Sequence, residues 1–237
     1  METVSSYYYS SNSKRMNEID YTLSSNLQKP FINKVHLFIS SKDYEKFLNF
    51  DYVNHPNYNK IIFKIFEVQP TYKDLFLYCS SFEQTIFCIC NSDIEFFINE
   101  ENYKLIDYLN DGNLSYFLTR HEEDEKCPLI NNFGGSHDAF IFNSTILKNA
   151  IENKDLNYIN YIQNTPGIEA LLTIFFIENL GYKLLNPCHQ IKLIHHHKSN
   201  VRLWESKNNS SVGYTWPTQL EGSSGIYNKY MIEPVIL

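Results

Sequence analysis

Several things the chain lacks narrow its function before any motif is read. No apolar run approaches the roughly 20 residues needed to cross a bilayer; the longest, at 171–177, has the length of a core segment. The first residues lack the charged-then-apolar layout of a signal peptide. The five cysteines are odd in number and form no C-x-x-C pair, so they read as free thiols of a reducing compartment, with Cys88 and Cys90 buried in a strand. A cytoplasmic location without a transmembrane segment is the expectation. There is no excess of positive charge: 20 basic residues face 27 acidic ones, a net charge of −7, which argues against a nucleic-acid partner. What is present is apolar and aromatic. Hydrophobic residues make up 43% of 237 and aromatic ones 16%, enough for a real core and too much for a disordered chain.

The first half alternates strand and helix patterns. A β-prone run at 3–9 leads through a polar loop to a helix with apolar Met16, Ile19, Leu23 and Leu27, closed by Pro30. Strands are expected at 34–40, 61–68 and 85–90, with helices at 44–50 and 71–82 between them. That β-α-β-α-β-α-β order predicts a mostly parallel sheet flanked by helices, in one domain. Further on, the pattern gives a helix at 103–109, strands at 114–119 and 139–142, and a Gly-rich turn at 131–138. It then gives a helix at 167–180 ended by Gly181, and two strands at 182–185 and 190–195. The core unit is placed at 1–205, with 206–237 as a tail packing on it.

Three constellations could carry chemistry. The buried strand at 85–90 runs straight into Asn91, Ser92 and Asp93. Ligands of open α/β sheets bind beyond the carboxyl ends of strands, and a carboxylate there can hold a divalent cation against phosphates. A turn-capping role for Asp93 is equally open. In I-H-H-H at 194–197, strand alternation puts His195 and His197 on one face, fit to bind metal or phosphate; a polar strand end is the plainer alternative. In G-G-S-H-D at 134–138, Asp138 is either a general base or a cap. Arg15 and Arg120 follow predicted strands or their loops, where a guanidinium can meet phosphate, although a lone arginine is more often solvated. Tyr7 to Tyr9 could stack a base or sugar or simply pack, the acidic loop 121–125 reads as a solvated face, and Glu169 reads as a first-turn carboxylate stabilised by the helix dipole.

Taken in order, these segments resemble a family of candidate glycosyltransferases of bacteria and large DNA viruses. The segments are K-R-M-N-E-I-D-Y-T-L-S-S-N-L (14–27), I-N-K-V-H-L-F (32–38), Q-P-T-Y-K-D-L-F (69–76), C-N-S-D-I-E-F (90–96), F-L-T-R (117–120), S-H-D-A-F-I-F (136–142) and G-Y-K-L-L-N-P-C-H-Q-I-K-L-I-H-H-H-K-S-N-V-R (181–202). The resemblance covers most of the chain and implies the GT-A fold, a Rossmann-type sheet. It implies that N-S-D at 91–93 stands for a D-x-D motif. Asp93 would then be the metal and diphosphate ligand, Asn91 would replace the first acid, and His195 and His197 would complete a Mn²⁺ or Mg²⁺ site. Tyr9, Arg15, Thr71, Tyr72 and Arg120 fall where that fold meets the donor, and Asp138 is the implied acceptor-binding or base residue. The family pattern departs at Gln69, His137, Phe140 and Glu169, where Arg, Gln, Trp and Asp are expected.

The implied activity is hexosyl or deoxyhexosyl transfer from a UDP- or GDP-linked sugar to a glycan or other hydroxyl acceptor. A binding module that kept the fold but lost turnover is the alternative, favoured by Asn91 and Gln69; a metal-dependent phosphohydrolase ranks last. The composition, rich in Asn, Ile and Tyr, fits an AT-rich genome such as that of a large virus, and the host cytoplasm would then be the location.

Overall fold

Apolar runs and side-chain caps fix the order of elements in the computed structural model. It describes residues 1–49, 51–130, 136–163, 165, 167–199, 201 and 231–237. Strand β1 (Glu2–Tyr7) leads to α1 (Ser13–Gln28), where the Asn12 side chain accepts from the Arg15 N–H. Then come β2 (Lys34–Ser40), α2 (Ser41–Phe47), β3 (Ile61–Phe66) and α3 (Tyr72–Ser80), the last opened by a reciprocal Thr71–Asp74 capping box. Next are β4 (Ile86–Cys90), β5 (Ile94–Ile98), the short α4 (Lys104–Asp107), β6 (Leu114–Leu118), β7 (His121–Glu122) and β8 (Ala139–Asn143). The chain continues with α5 (Ser144–Ile151), α6 (Ile168–Ile174), β9 (Lys183–Leu185) and β10 (Ile191–His195).

Seven strands form one sheet in the order β3-β2-β1-β4-β8-β6-β9. The pairs β3–β2, β2–β1, β1–β4 and β6–β9 are parallel, and β8 alone runs against its neighbours β4 and β6. The expected mostly parallel, helix-flanked sheet is therefore the observed one. Alternation along its strands feeds two cores. Leu37, Ile39, Cys88 and Cys90 face α1, α2 and α4, while Val4, Phe38, Phe87 and Ile89 face α3, α5 and α6. Much of the aromatic content lies on the second side: Phe117 meets Phe140 at 4.7 Å and Phe176 at 5.0 Å in edge-on geometry.

Sequence and structure part in several places. The first strand stops at Tyr7, and the helix expected at 44–50 starts at Ser41, because the Ser40 hydroxyl caps Asp43. The helix at 167–180 is α-helical only to Ile174 and then widens into a π turn over Phe175–Asn179, ending before Gly181 at φ +72°. The two late strands do not pair: β9 joins the main sheet, while β10 joins β5 and β7 in a second, three-stranded sheet. The start of the acidic loop is the strand β7, paired to β10. The Gly-rich turn at 131–135 and most of the tail, 202–230, lie outside the described residues. At the chain end, Pro234 pairs with Asn186, and the Val235 N–H donates to the Asn186 carbonyl. No helix among the described residues is long and apolar enough to cross a membrane.

Candidate functional site

From β1 the chain passes outward to β2 and β3 and then returns to β4 on the other side of β1. The direction of winding thus reverses between β1 and β4, which opens a crevice at their carboxyl ends. Asp93 lies three residues beyond β4 at that crevice. The reversed strand β8 brings its amino end to the same edge: Ala139 pairs with Cys90 of β4 and with Leu118 of β6. Asp138, just before β8, and Arg120, just after β6, are therefore delivered together. The second sheet supplies the third part. Ile94 pairs with His195, and the His196 N–H donates to the Asp93 carbonyl at 2.9 Å, so the end of β10 is tied to the loop that carries Asp93.

One oxygen of Asp93 gathers three groups. Asp93 Oδ2 lies 2.7 Å from Arg15 Nη2, 3.0 Å from His195 Nε2 and 3.3 Å from His197 Nδ1. The rings of His195 and His197 stack with centroids 5.1 Å apart and planes 12° from parallel. His196, on the other side of the strand, bonds Glu95 at 2.8 Å and Glu123 at 3.0 Å. The histidine run is therefore not a polar strand end, since His195 and His196 are buried. Burial alone would raise the Asp93 carboxyl, but hydrogen bonds with the two histidines and the Arg15 charge hold it well below the usual carboxylate range. Asp93 Oδ1 and His197 Nε2 are buried with no hydrogen-bond partner among the described residues.

Asp93, His195 and His197 place one oxygen and two nitrogen donors within 4.8 Å of one another. This set fits a divalent ion. The two imidazole nitrogens suit a transition-metal ion better than Mg²⁺, which prefers oxygen ligands. The unpaired Asp93 Oδ1 is a further donor already stripped of water.

The second cluster gathers three carboxylates, Asp138, Glu122 and Glu169, around the Arg120 guanidinium. Arg120 Nη1 donates to both oxygens of Asp138, at 3.1 and 3.3 Å, and Arg120 Nε donates to Glu122. The Glu169 carboxylate accepts from the His137 backbone N–H and faces Asp138 and Arg120. Burial and then the Asp138 charge push Glu169 up to about 8; burial raises Asp138 as well, in spite of Arg120. Glu169 is therefore more than a first-turn carboxylate. Nothing in T-P-G-I-E-A signals that role, because its partner Asp138 is remote in sequence.

The other expected residues occupy more structural positions. Arg15 is buried, and its donors go to Tyr8 Oη, Glu18, the His196 carbonyl and Asp93. Thr71 caps α3, and Tyr72 is buried with its hydroxyl on Gln163. Gln163, which no sequence signal singles out, also accepts from Ser6 Oγ at 2.6 Å and donates to the Cys90 carbonyl at 3.4 Å, bridging the ends of β1 and β4. Asn91 borders a small cavity of about 20 Å³ between β1, β2 and α1, room for about one water. Tyr9 is 39% exposed, with Lys46 Nζ 4.2 Å from its ring centroid. Tyr7 packs inward and donates to Asp20.

Three solved structures carry the same architecture. A mannosyltransferase from Pyrobaculum calidifontis, solved with GDP-Man and Mn²⁺, aligns with a TM-score of 0.51 at 11% identity, over 82% of this chain and 56% of that one. A protein from Bacillus anthracis assigned as a glucose-1-phosphate thymidylyltransferase, solved with a sucrose, gives 0.51 at 9%, over 78% and 85%. S. aureus TarS 1–349 with UDP-GlcNAc gives 0.50 at 11%, over 85% and 61%. The chain shares the mixed α/β fold of these three proteins. At these identities the likeness extends to the fold alone, and this chain spans little more than half the length of the mannosyltransferase and TarS structures. No family model matches the sequence, and no curated protein does.

His137, between the two clusters' contributing strands, yields a stability prediction. It is buried against Phe117, neither ring nitrogen has a partner among the described residues, and burial pushes it down to about 4. The folded state therefore binds the proton less well than the unfolded chain, whose histidine titrates near 6.5. The stability this contributes is complete above about 6.5 and is lost as pH falls toward 4. Urea titrations should show the protein about 2 kcal/mol less stable at pH 5 than at pH 7 from this group. In His137→Phe that part of the loss should vanish.

Proposed function

We propose that the protein is a nucleotide-sugar-dependent glycosyltransferase that moves a hexosyl or deoxyhexosyl group from a UDP- or GDP-linked donor to a hydroxyl of a glycan or other acceptor. The observation that carries this reading is the meeting of the Asp93–His195–His197 donor set with the Asp138–Glu169–Arg120 cluster at the carboxyl-end crevice of this fold. The solved relatives that bind UDP-GlcNAc and GDP-Man supply the donor class by analogy of fold.

Asp93, His195 and His197 would hold Mn²⁺, which supplies a positive charge against the diphosphate. The chain's own residues do the rest. His195 and His197 are kept in register by β10, and Asp93 is kept ionised by its surroundings, so the donor meets a fixed polar wall that need not reorganise. Arg120, paired with Asp138, would offset negative charge as the anomeric carbon–oxygen bond breaks and its electron pair leaves on the diphosphate. The acceptor oxygen attacks the anomeric carbon and gives its proton to the carboxylate pair. Asp138 is the candidate base, and Glu169, pushed up to about 8, shares the proton with it.

A second reading, a sugar-nucleotide-binding module without turnover, draws on Asn91 and on the guanidinium already bound to Asp93. Release of nucleoside diphosphate from a panel of UDP- and GDP-sugars with Mn²⁺, in the presence of simple sugar acceptors, separates the two. Donor-dependent release supports the transferase, whereas tight donor binding with no release favours the module.

A further inference from the structure

The geometry points to Arg15 as a built-in counter-charge of Asp93 that keeps the site's affinity for a divalent ion low until a nucleoside diphosphate is bound. This rests on the metal-site reading above and concerns a residue outside the donor set itself. Arg15 is 5% exposed, and Nη2 sits 2.7 Å from Asp93 Oδ2, the oxygen toward which His195 and His197 also point. Its other donors are held by Tyr8 Oη at 3.0 Å, Glu18 at 3.1 Å and the His196 carbonyl at 3.3 Å. Glu18 is held in turn by the Ser199 N–H at 2.6 Å and the Ser199 hydroxyl at 2.7 Å. The guanidinium is therefore clamped between α1 and the end of β10 and cannot swing clear at small cost.

The consequence is electrostatic. Divalent ions that act with phosphate substrates are held through one or two carboxylates, with the phosphates supplying the remaining negative charge. Here the donor set among the described residues holds one, and its single negative charge is already offset by Arg15. Glu18 balances Arg15 in part but is taken up by Ser199. A divalent ion approaching Asp93 through its unpaired Oδ1 meets a monovalent cation one carboxylate away, in a buried setting where such repulsion is weakly screened. Bound diphosphate would supply the missing negative charge, so ion and nucleotide should bind with strong mutual preference.

The test is Mn²⁺ titration, read as free Mn²⁺ by electron paramagnetic resonance, with and without UDP or GDP. It uses the wild type, Arg15→Gln, Arg15→Lys and Asp93→Asn. Wild type and Arg15→Lys should bind Mn²⁺ weakly alone and at least about tenfold more tightly with the matching diphosphate. Arg15→Gln should bind Mn²⁺ about tenfold more tightly than wild type without nucleotide. Equal wild-type Mn²⁺ affinity with and without nucleotide would overturn the inference, and this arm needs no variant to fold. So would a folded Arg15→Gln that binds no more tightly than wild type. In both cases the metal site itself would stand if Asp93→Asn lost the ion. Absence of Mn²⁺ binding under every condition would instead remove the reading on which the inference rests.

Discussion

Replacing Asp93 by asparagine is expected to reduce donor-dependent release of nucleoside diphosphate by about 10³-fold, the scale of removing a principal electrostatic element of a transferase site. The amide of Asp93→Asn would keep the shape of the side chain and a hydrogen-bonding oxygen toward Arg15, and Glu18 would still offset part of the Arg15 charge, so the fold should survive with some loss of stability. Asp93→Ala tests a different property. It leaves Arg15 buried without its carboxylate partner, and breaking a buried pair in that way costs about 3–5 kcal/mol. Both variants should be inactive and destabilised, with the lower melting temperature in Asp93→Ala, which loses the hydrogen bond to Arg15 as well as the charge. Calorimetric melts beside the release assay check this, and an Asp93→Asn protein with wild-type turnover would remove Asp93 from the site.

The second large effect concerns the carboxylate pair. Asp138→Asn and Glu169→Gln should each lower turnover by about 10² to 10⁴, the range for loss of a positioned proton acceptor. The pH profile tells a base from a binding residue. Glu169 is raised to about 8 by burial and by Asp138, so the pair holds a proton below that pH and releases it above. Wild-type turnover should therefore climb between about pH 7 and 9, with Asp138, Arg120, His137 and Tyr72 as the neighbouring polar groups. Glu169→Gln should lose that climb along with most of its rate. A profile flat across this range in the wild type would exclude the pair as proton acceptor.

Much of the sheet was legible because its strands announce themselves. I-F-C-I-C is an apolar run with no place but a doubly covered strand, and K-V-H-L-F-I-S coincides with β2 residue for residue. β5 was not legible. I-E-F-F-I follows N-S-D with no turn-forming glycine or proline, and its buried Glu95 breaks apolar alternation. Glu95 is buried only because Lys29, Ser25 and His196 satisfy it, all distant in sequence. Missing β5 hid the second sheet, and with it the reason why the end of β10 lies at Asp93. The histidines could be placed on one strand face by alternation, but not against a carboxylate. Arg15 looked like a residue for phosphate, and its commitment to Asp93, Glu18 and the β10 end depends on contacts across the whole fold. Glu169 and Gln163 stayed hidden for the same reason: each acquires its setting from a strand end that only the folded sheet brings near.

The most direct measurement is calorimetric titration of UDP- and GDP-sugars into the purified protein, with and without Mn²⁺, on wild type and Asp93→Asn. Binding of one nucleotide class that strengthens with Mn²⁺ and loses that dependence in the variant is the predicted result. A folded wild-type protein that binds none of these donors, with or without the ion, would contradict the account.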